Sequence, residues 1–365
     1  MKSIKTTPLH QWHQQNGGKM VEFAGWDMPV QYQGILAEHE QTRTAVSLFD
    51  VSHMGLFMIE GKEIENVLQK ILTNDVSKLI AGQVQYTLML HKNGTVIDDL
   101  TVYRIDKMRF MLCVNAANVE QDYEWICSQM DGKCTIQNWS EAFGQIAIQG
   151  KYAEFVVQQL CKDPLHELKY YNFIETVVGE SDVVLARMGY TGEDGFEIFC
   201  KSDETQALWN QLMEKGKTSN IGPAGLGARD LLRLEMGFCL YGNDIDDKHV
   251  VAEANLKPFV KMDKIGFVGQ KALKAFIPEE HQKLIHFILE DKGVPRANCK
   301  IFAGDSDKEI GEVTSGNHSP TLGQGIGMGY VDYAYADESK TIRIEVRDKK
   351  IPAKKIKGSF IKVEK

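Results

Sequence analysis

The sequence predicts an α+β protein, with an antiparallel sheet in its body and an all-β C-terminal end. Two patterns predict it. Between residues 51 and 145, strand-like stretches ("MGLFMIEG", "QYTLMLH", "TVIDDLTVYR", "RFMLCVN") alternate with amphipathic ones ("EIENVLQKIL", "ANVEQDYEWICSQM") without regular βαβ spacing. After about residue 280 the helical period fades. Short strands such as "KLIHFILE", "EIGEVTSG", "GIGMGYV" and "TIRIEVRD" then alternate with Gly, Asn and Asp turns, as in a small β-barrel or sandwich.

The elements follow in order. Residues 1–50 hold turns and one helical segment, "ILAEHEQTRTAVSLF". Residues 146–245 carry strands "VVLARMGY" and "FEIFC" and helices "TQALWNQLMEKG" and "LGARDLLRLEMG". The domain reading is 51–145 as one α+β lobe, 1–50 with 146–280 as interleaved first and second lobes, and 281–365 as the C-terminal lobe.

At 365 residues, with 43% hydrophobic and 25% charged side chains, the chain can bury a large core. A net charge of −8 argues against nucleic acid as a partner. No run approaches the ~20 apolar residues that span a bilayer, and the N-terminus lacks an apolar signal region, so no membrane association and a cytoplasmic location are expected. Seven dispersed cysteines, never spaced CxxC, suit reduced thiols and no metal site. From Lys340 to Lys365, ten Lys/Arg face three Asp/Glu. That run is either a sheet edge protected by lysines or a docking face for an acidic partner.

Several familiar chemistries are absent. "HEQTR" lacks the second histidine of a zincin, no Walker A sequence occurs, and Ser52-His53 are adjacent residues that in a strand would face opposite ways. "PAGLGARD" sets Gly225 and Gly227 before a helix, where backbone N–H groups can face an anion.

Three polar islands remain. In "NGTVIDDLTVYR", Ile97, Asp99, Thr101 and Tyr103 share one strand face, and Val96, Asp98, Leu100 and Val102 the other. The first face suits a strand lining a ligand cavity, or a solvated edge strand. In "ARMGYTGEDGFEIF", Glu197 projects opposite Phe196 and Ile198, as an acceptor for an aminopyrimidine edge or as half of an ion pair. In "GPAGLGARDLLRLE", Arg229 and Arg233 lie one turn apart, to bind a carboxylate or to pair with Asp230 and Glu235.

Read in order with "VEFAGWDMPVQY", "LFDVSHMG", "VNAAN", "LYGNDID" and "EVTSGNHSPTL", these islands resemble the T-protein of the glycine cleavage system, a tetrahydrofolate-dependent aminomethyltransferase family. The resemblance spans roughly residues 8 to 360. It implies a three-lobed, cloverleaf-like fold around a folate cavity, with a C-terminal β-barrel lobe. It implies that Asp99 is the catalytic carboxylate, Glu197 the pterin-binding carboxylate and Arg229 a second folate-binding residue. Met54, Tyr86, Tyr103, Val114, Asn115 and Tyr190 would line the cavity, and Arg296 would border it. The co-substrate would be tetrahydrofolate and the partner a lipoylated H-protein, whose lipoyl arm delivers the aminomethyl group. Ammonia and N5,N10-methylene-tetrahydrofolate would be the products. Asp98 would be structural, and Lys354, Lys355 and Lys357 would contribute to H-protein binding.

The chain departs from the family pattern at Leu56, Lys151, Val250-Val251 and Pro258, while keeping Glu253 and supplying an aromatic at Phe259. These departures leave two further readings open: a folate-binding paralogue without the transfer, or a demethylase-like relative using another one-carbon donor.

Overall fold

The structure is a computed structural model describing residues 4–264, 266–304 and 306–363. It divides into two compact units. The first holds the chain up to Thr87 with Asp98–Asp230, and the second holds Leu88–Ile97 with Leu231–Val363.

The first unit begins with helix α1 (His10–Gln15) and a two-stranded ribbon of β1 (Lys19–Phe23) and β2 (Trp26–Gln31). Helix α2 (Ile35–Thr44) follows. An eleven-stranded sheet then takes β3 (Val46–Asp50), β4 (Gly55–Glu60), β5 (Gln83–Leu90), β6 (Val96–Arg104), β7 (Arg109–Val114) and β8 (Thr135–Asn138), the end of β5 from Leu88 and the first two residues of β6 being counted with the second unit. Its remaining strands are β9 (Phe143–Gln149), β10 (Asn172–Val178), β11 (Ser181–Arg187), β12 (Gly195–Lys201) and β13 (Ile221–Pro223). The order is β13-β3-β9-β12-β11-β10-β5-β6-β7-β4-β8, so strands of 51–145 and of 146–223 join one sheet. The β10–β11, β9–β12, β3–β9, β4–β7 and β6–β7 pairs are antiparallel, and β13 runs parallel to β3.

Its helices are α3 (Ile64–Ile71), α4 (Val119–Met130), α5 (Ala153–Gln158), α6 (Thr205–Lys215) and the start of α7 (Leu226–Glu235). The helical stretch expected over "ILAEHEQTRTAVSLF" ends at Thr44, and "VSLFD" is β3 with all five residues buried. Val46, Leu48 and Phe49 are β-branched or bulky, and burial on both faces erases the alternation that marks a strand.

One sheet face carries Leu48, Ile146, Ile148, Phe196 and Ile198. It packs against Leu208, Trp209 and Leu212 of α6 and Trp12 of α1. Those α6 residues and Thr205 recur at i, i+3, i+4 and i+7, which puts them on one side of the helix. Fully buried His13 and Asp50 meet at 2.8 Å, and Tyr32 Oη lies 2.7 Å from His13 Nδ1. This network ties α1 to β3. The other face gathers Met58, Tyr103, Met111, Cys113, Ala186, Met188 and Phe199.

In the second unit, β14 (Gln282–Leu289), β15 (Lys300–Ala303), β16 (Glu309–Ser319), β17 (Gln324–Asp332), β18 (Ile342–Val346) and β19 (Lys349–Ile356) close into a barrel, ordered β14-β17-β16-β15-β18-β19. The barrel rather than the sandwich is therefore the architecture of the C-terminal strands. Strand β19, "KKIPAKKI", pairs with both β18 and β14, so the lysine-rich run is not a sheet edge. Its last two residues lie outside the described ones. Lys355 is buried and its ammonium donates to the carbonyls of Tyr335 and Asp337, whereas Lys354 and Lys357 are exposed.

Candidate active site

Strand β6 lies between β5 and β7, so "VIDDLTVYR" is an interior strand and not a solvated edge. Val96, Asp98, Leu100 and Val102 are buried, whereas Asp99 and Thr101 on the alternate face stay half-buried. Asp99 accepts from Tyr86 Oη at 2.9 Å and from Asn115 Nδ2 at 2.9 Å. Burial, followed by the charge of Asp98, pushes its pKa up to about 7, against the pull of the Tyr86 and Asn115 hydrogen bonds.

Asp98 is fully buried and accepts from Asn115 N (3.0 Å), Asn115 Nδ2 (2.8 Å) and Asn118 Nδ2 (2.8 Å).

Glu197 sits on β12 between Ala186 of β11 and Ala147 of β9, two small neighbours that leave room around its carboxylate. Gln145 Nε2 donates to its Oε2 at 3.0 Å, while Oε1 takes no hydrogen bond from any described residue. Burial raises its pKa, and the Arg229 charge and the Gln145 bond oppose that. Arg229, in the first turns of α7, lies over the Tyr190 ring at 4.8 Å. Glu38 fixes the start of that helix, accepting from Gly225 N at 2.9 Å and from Tyr32 N and Gly34 N. The N–H of the "PAGLG" turn expected to face an anion is thus taken by the protein's own carboxylate.

The "MGYTGEDG" turn, Met188 to Gly195, is pinned by Gln149, which donates to Met188 O at 3.0 Å and accepts from Thr191 Oγ1 at 2.7 Å. Gly195 has no space for a side chain, because a Cβ there would fall 2.2 Å from Ile148 O.

Tyr103 is fully buried and donates to Met188 Sδ at 3.1 Å. Val114 is buried, and Met54 is half-buried against the cluster that holds Tyr103 and Met188. Asp99, Tyr86 and Asn115 are thus brought together, as are Glu197 and Arg229 with Tyr190. Arg296 belongs to the second unit, exposed, with Nη1 donating to Gly316 O at 3.3 Å. Among the described residues no group of three or more His, Cys, Asp or Glu is arranged to hold a metal ion.

A family model described as the GCVT N-terminal domain matches residues 9–264, and one described as the glycine cleavage T-protein C-terminal barrel domain matches 282–362. The chain belongs to the glycine cleavage T-protein family. Proteins named aminomethyltransferase are 42% identical in Halothermothrix orenii, over 98% of this chain and 100% of that one. In Chloroherpeton thalassium the identity is 44% over 98% and 99%, and in Bacillus cereus 40% over the whole of both. The crystal structure of the glycine cleavage system aminomethyltransferase T from Bartonella henselae is 34% identical, covers 99% of both chains and matches with a TM-score of 0.91. As a member of this family, the chain is an aminomethyltransferase, a tetrahydrofolate-dependent one-carbon transferase.

Within the T-protein scaffold, sequence reasoning missed Gln145 and Asp122, and it set His53 aside. His53 lies in a turn after β3 and not in a strand, so the opposite-face argument does not apply to it. Burial pushes its pKa down to about 4, against the pull of Asp50, and the Arg229 charge adds to the lowering. Asp122 carried a readable signal: with Ile126 and Met130 it forms the buried i, i+4, i+8 stripe of α4. A carboxylate on an apolar stripe needs a partner or a proton.

Of the departures from the family pattern, Leu56 is buried beside Met58 and Tyr103, and Lys151 is exposed with its ammonium 5.7 Å from the Tyr152 ring. In the second unit, Val251 is buried, Val250 half-buried and Pro258 exposed.

Proposed function

We propose that the transfer takes place at Asp99, and that Glu197 and Arg229, lined by Tyr190, Tyr103, Met54 and Val114, hold the folate. The observation that carries this reading is the half-buried Asp99 carboxylate, held on both oxygens by Tyr86 and Asn115. Positive charge grows on the methylene carbon as ammonia leaves. A fixed carboxylate stabilises that charge without reorganising, and it can exchange a proton near neutral pH. Because ionised Asp99 is the working form, kcat/KM should fall as pH drops through about 7.

Glu197 offers its open Oε1 to the N–H groups of the pterin ring, a fit that supports folate as co-substrate. Glu197→Gln should weaken tetrahydrofolate binding by about 10–100-fold, the worth of one or two hydrogen bonds to a charged group, and change kcat less. Calorimetric titration measures it; unchanged affinity would remove Glu197 from the pterin site.

The donor in this reading is the aminomethyl-lipoyl arm of an H-protein in the cytoplasm. The exposed Lys354 and Lys357 remain candidates for its docking, and buried Lys355 does not. Reversing the charge of Lys354 and Lys357 should flatten the salt dependence of H-protein binding. A salt dependence equal to that of the unaltered protein would dismiss these lysines.

A further inference from the structure

Asp98 and Asp122 lie behind Asp99, and both are 0% exposed. Neither makes an ion pair with a described Lys, Arg or His. Asp98 receives three N–H bonds, whereas neither oxygen of Asp122 meets a donor. Asp122 follows Asn118 by one helical turn, and Asn118 Nδ2 donates to Asp98 Oδ1 at 2.8 Å, so the helix start carries the Asp122 carboxyl to the Asp98 side, where the Asp98 charge reaches it. Two buried carboxylates in contact cannot both be ionised, so they share one proton. Its place is decided by the donors. Every N–H stabilises charge on Asp98, so Asp122 carries the proton and donates it to Asp98.

We propose that Asp122 and Asp98 form a one-proton carboxyl pair that positions Asp99 and sets its charge through Asn115. Asn115 Nδ2 is within 2.8 Å of Asp98 Oδ1, 2.9 Å of Asp99 Oδ1 and 3.0 Å of Asp99 O, so one amide holds both carboxylates. The groups facing this chain are Tyr86 from β5, Asn115 and Asn118 after β7, Asp122 from α4 and the Cys113 thiol from β7. None is cationic, so among the described residues the Asp98 charge acts on Asp99 without a counterion beside it. Burial raises the pKa of both Asp98 and Asp122; at Asp98 the hydrogen bonds from Asp122, Asn115 and Asn118 oppose it, whereas at Asp122 the Asp98 charge adds to it and pushes the pKa up to about 11, so Asp122 is the group that keeps its proton. Asp99 is the residue that meets substrate in the proposed function, and this inference rests on that reading; Asp98 and Asp122 are positioning residues.

The test is the acid limb of kcat/KM. Asp98→Asn removes the neighbouring charge, so Asp99 should ionise at lower pH and the limb should move down by about one pH unit or more. Asp122→Leu removes the donor and leaves Asp98 held by its three N–H bonds alone, so Asp98 is less firmly ionised and the limb should move the same way, by less than in Asp98→Asn. Asp122→Asn keeps a donor to Asp98 and should leave the limb where it is. A limb unmoved in both Asp98→Asn and Asp122→Leu would overturn the proposal while leaving the role of Asp99 intact. If neither variant folds, carboxyl carbon NMR of aspartate-labelled unaltered protein gives the answer. One protonated carboxyl within the 98/122 pair, persisting from pH 6 to 9, is expected; two ionised carboxylates would overturn it. Loss of the limb in the unaltered protein would instead contradict the role of Asp99.

Discussion

Asp99→Asn should fold and bind folate yet lose about 10²–10⁴-fold in single-turnover rate, the usual range for removing a positioned acid–base group. The amide is close to isosteric. Its oxygen can still accept from Asn115 Nδ2, and Tyr86 Oη can turn to accept from the new N–H. Stability should not suffer, and the sign follows from the pKa. An unfolded aspartate ionises near 4, whereas folded Asp99 ionises near 7. Between those values the unfolded state releases a proton that the folded state keeps, so this residue lowers stability as pH rises and does so fully above about 7. The variant removes that penalty and should be at least as stable at pH 8. Denaturation curves at pH 5 and pH 8 check the second claim and rapid-quench turnover the first. Full turnover in a folded Asp99→Asn protein would exclude the carboxylate from the chemistry.

Arg233→Met should cost about 3–5 kcal/mol in the unit that contains the barrel. Arg233 is 1% exposed and Asp244 0%, with Nη1 to Oδ2 at 2.7 Å. Arg233 also donates to Phe238 O at 3.0 Å and Ser315 Oγ at 2.8 Å. Asp244 accepts further from Leu240 N, Ser315 Oγ and Thr314 Oγ1. Removing the guanidinium leaves a buried anion without its cation, which is the expensive outcome. Arg233→Met with Asp244→Leu removes both charges and should recover much of the loss. Calorimetric melting of the single and double variants beside the unaltered protein measures it. Equal destabilisation in the single and double variants would show that packing, not charge, dominates there.

This pair also shows how far the sequence could be read. Arg229 and Arg233 stand one turn apart, which is visible in the chain, but their partners are not. Asp230 and Glu235 were the candidates in view, and the sequence gives no sign of Asp244, which the backbone turn of 238–245 brings to Arg233. Helix faces were legible because burial on one side imposes a 3.6-residue period, as α6 shows with Leu208, Trp209 and Leu212. Strand β3 was not legible, because all five of its residues are buried and no alternation survives. Strand β19 was hidden for the opposite reason. Its lysines read as a solvated edge, although Ile351, Ala353 and the stem of Lys355 point inward in a closed barrel.

In the site, the separation of Asp98 from Asp99 followed from a period of two. The central position of β6 did not, because sheet order is a long-range property. The gathering of Asp99 with Tyr86 and Asn115 was implied by family resemblance and not by pattern. The proposed pairing of Asp98 with Asp122, more than twenty residues along the chain, needed the structure.

The most direct test of the account is a single turnover of the unaltered protein with aminomethyl-loaded, lipoylated H-protein, run with and without tetrahydrofolate. Ammonia and methylene-tetrahydrofolate should appear together, in equal amounts, at a rate that depends on folate and falls below about pH 7 with the ionisation of Asp99. Folate binding with no folate-dependent release of ammonia would contradict it, and would turn attention to another one-carbon donor or to a folate-binding role without transfer.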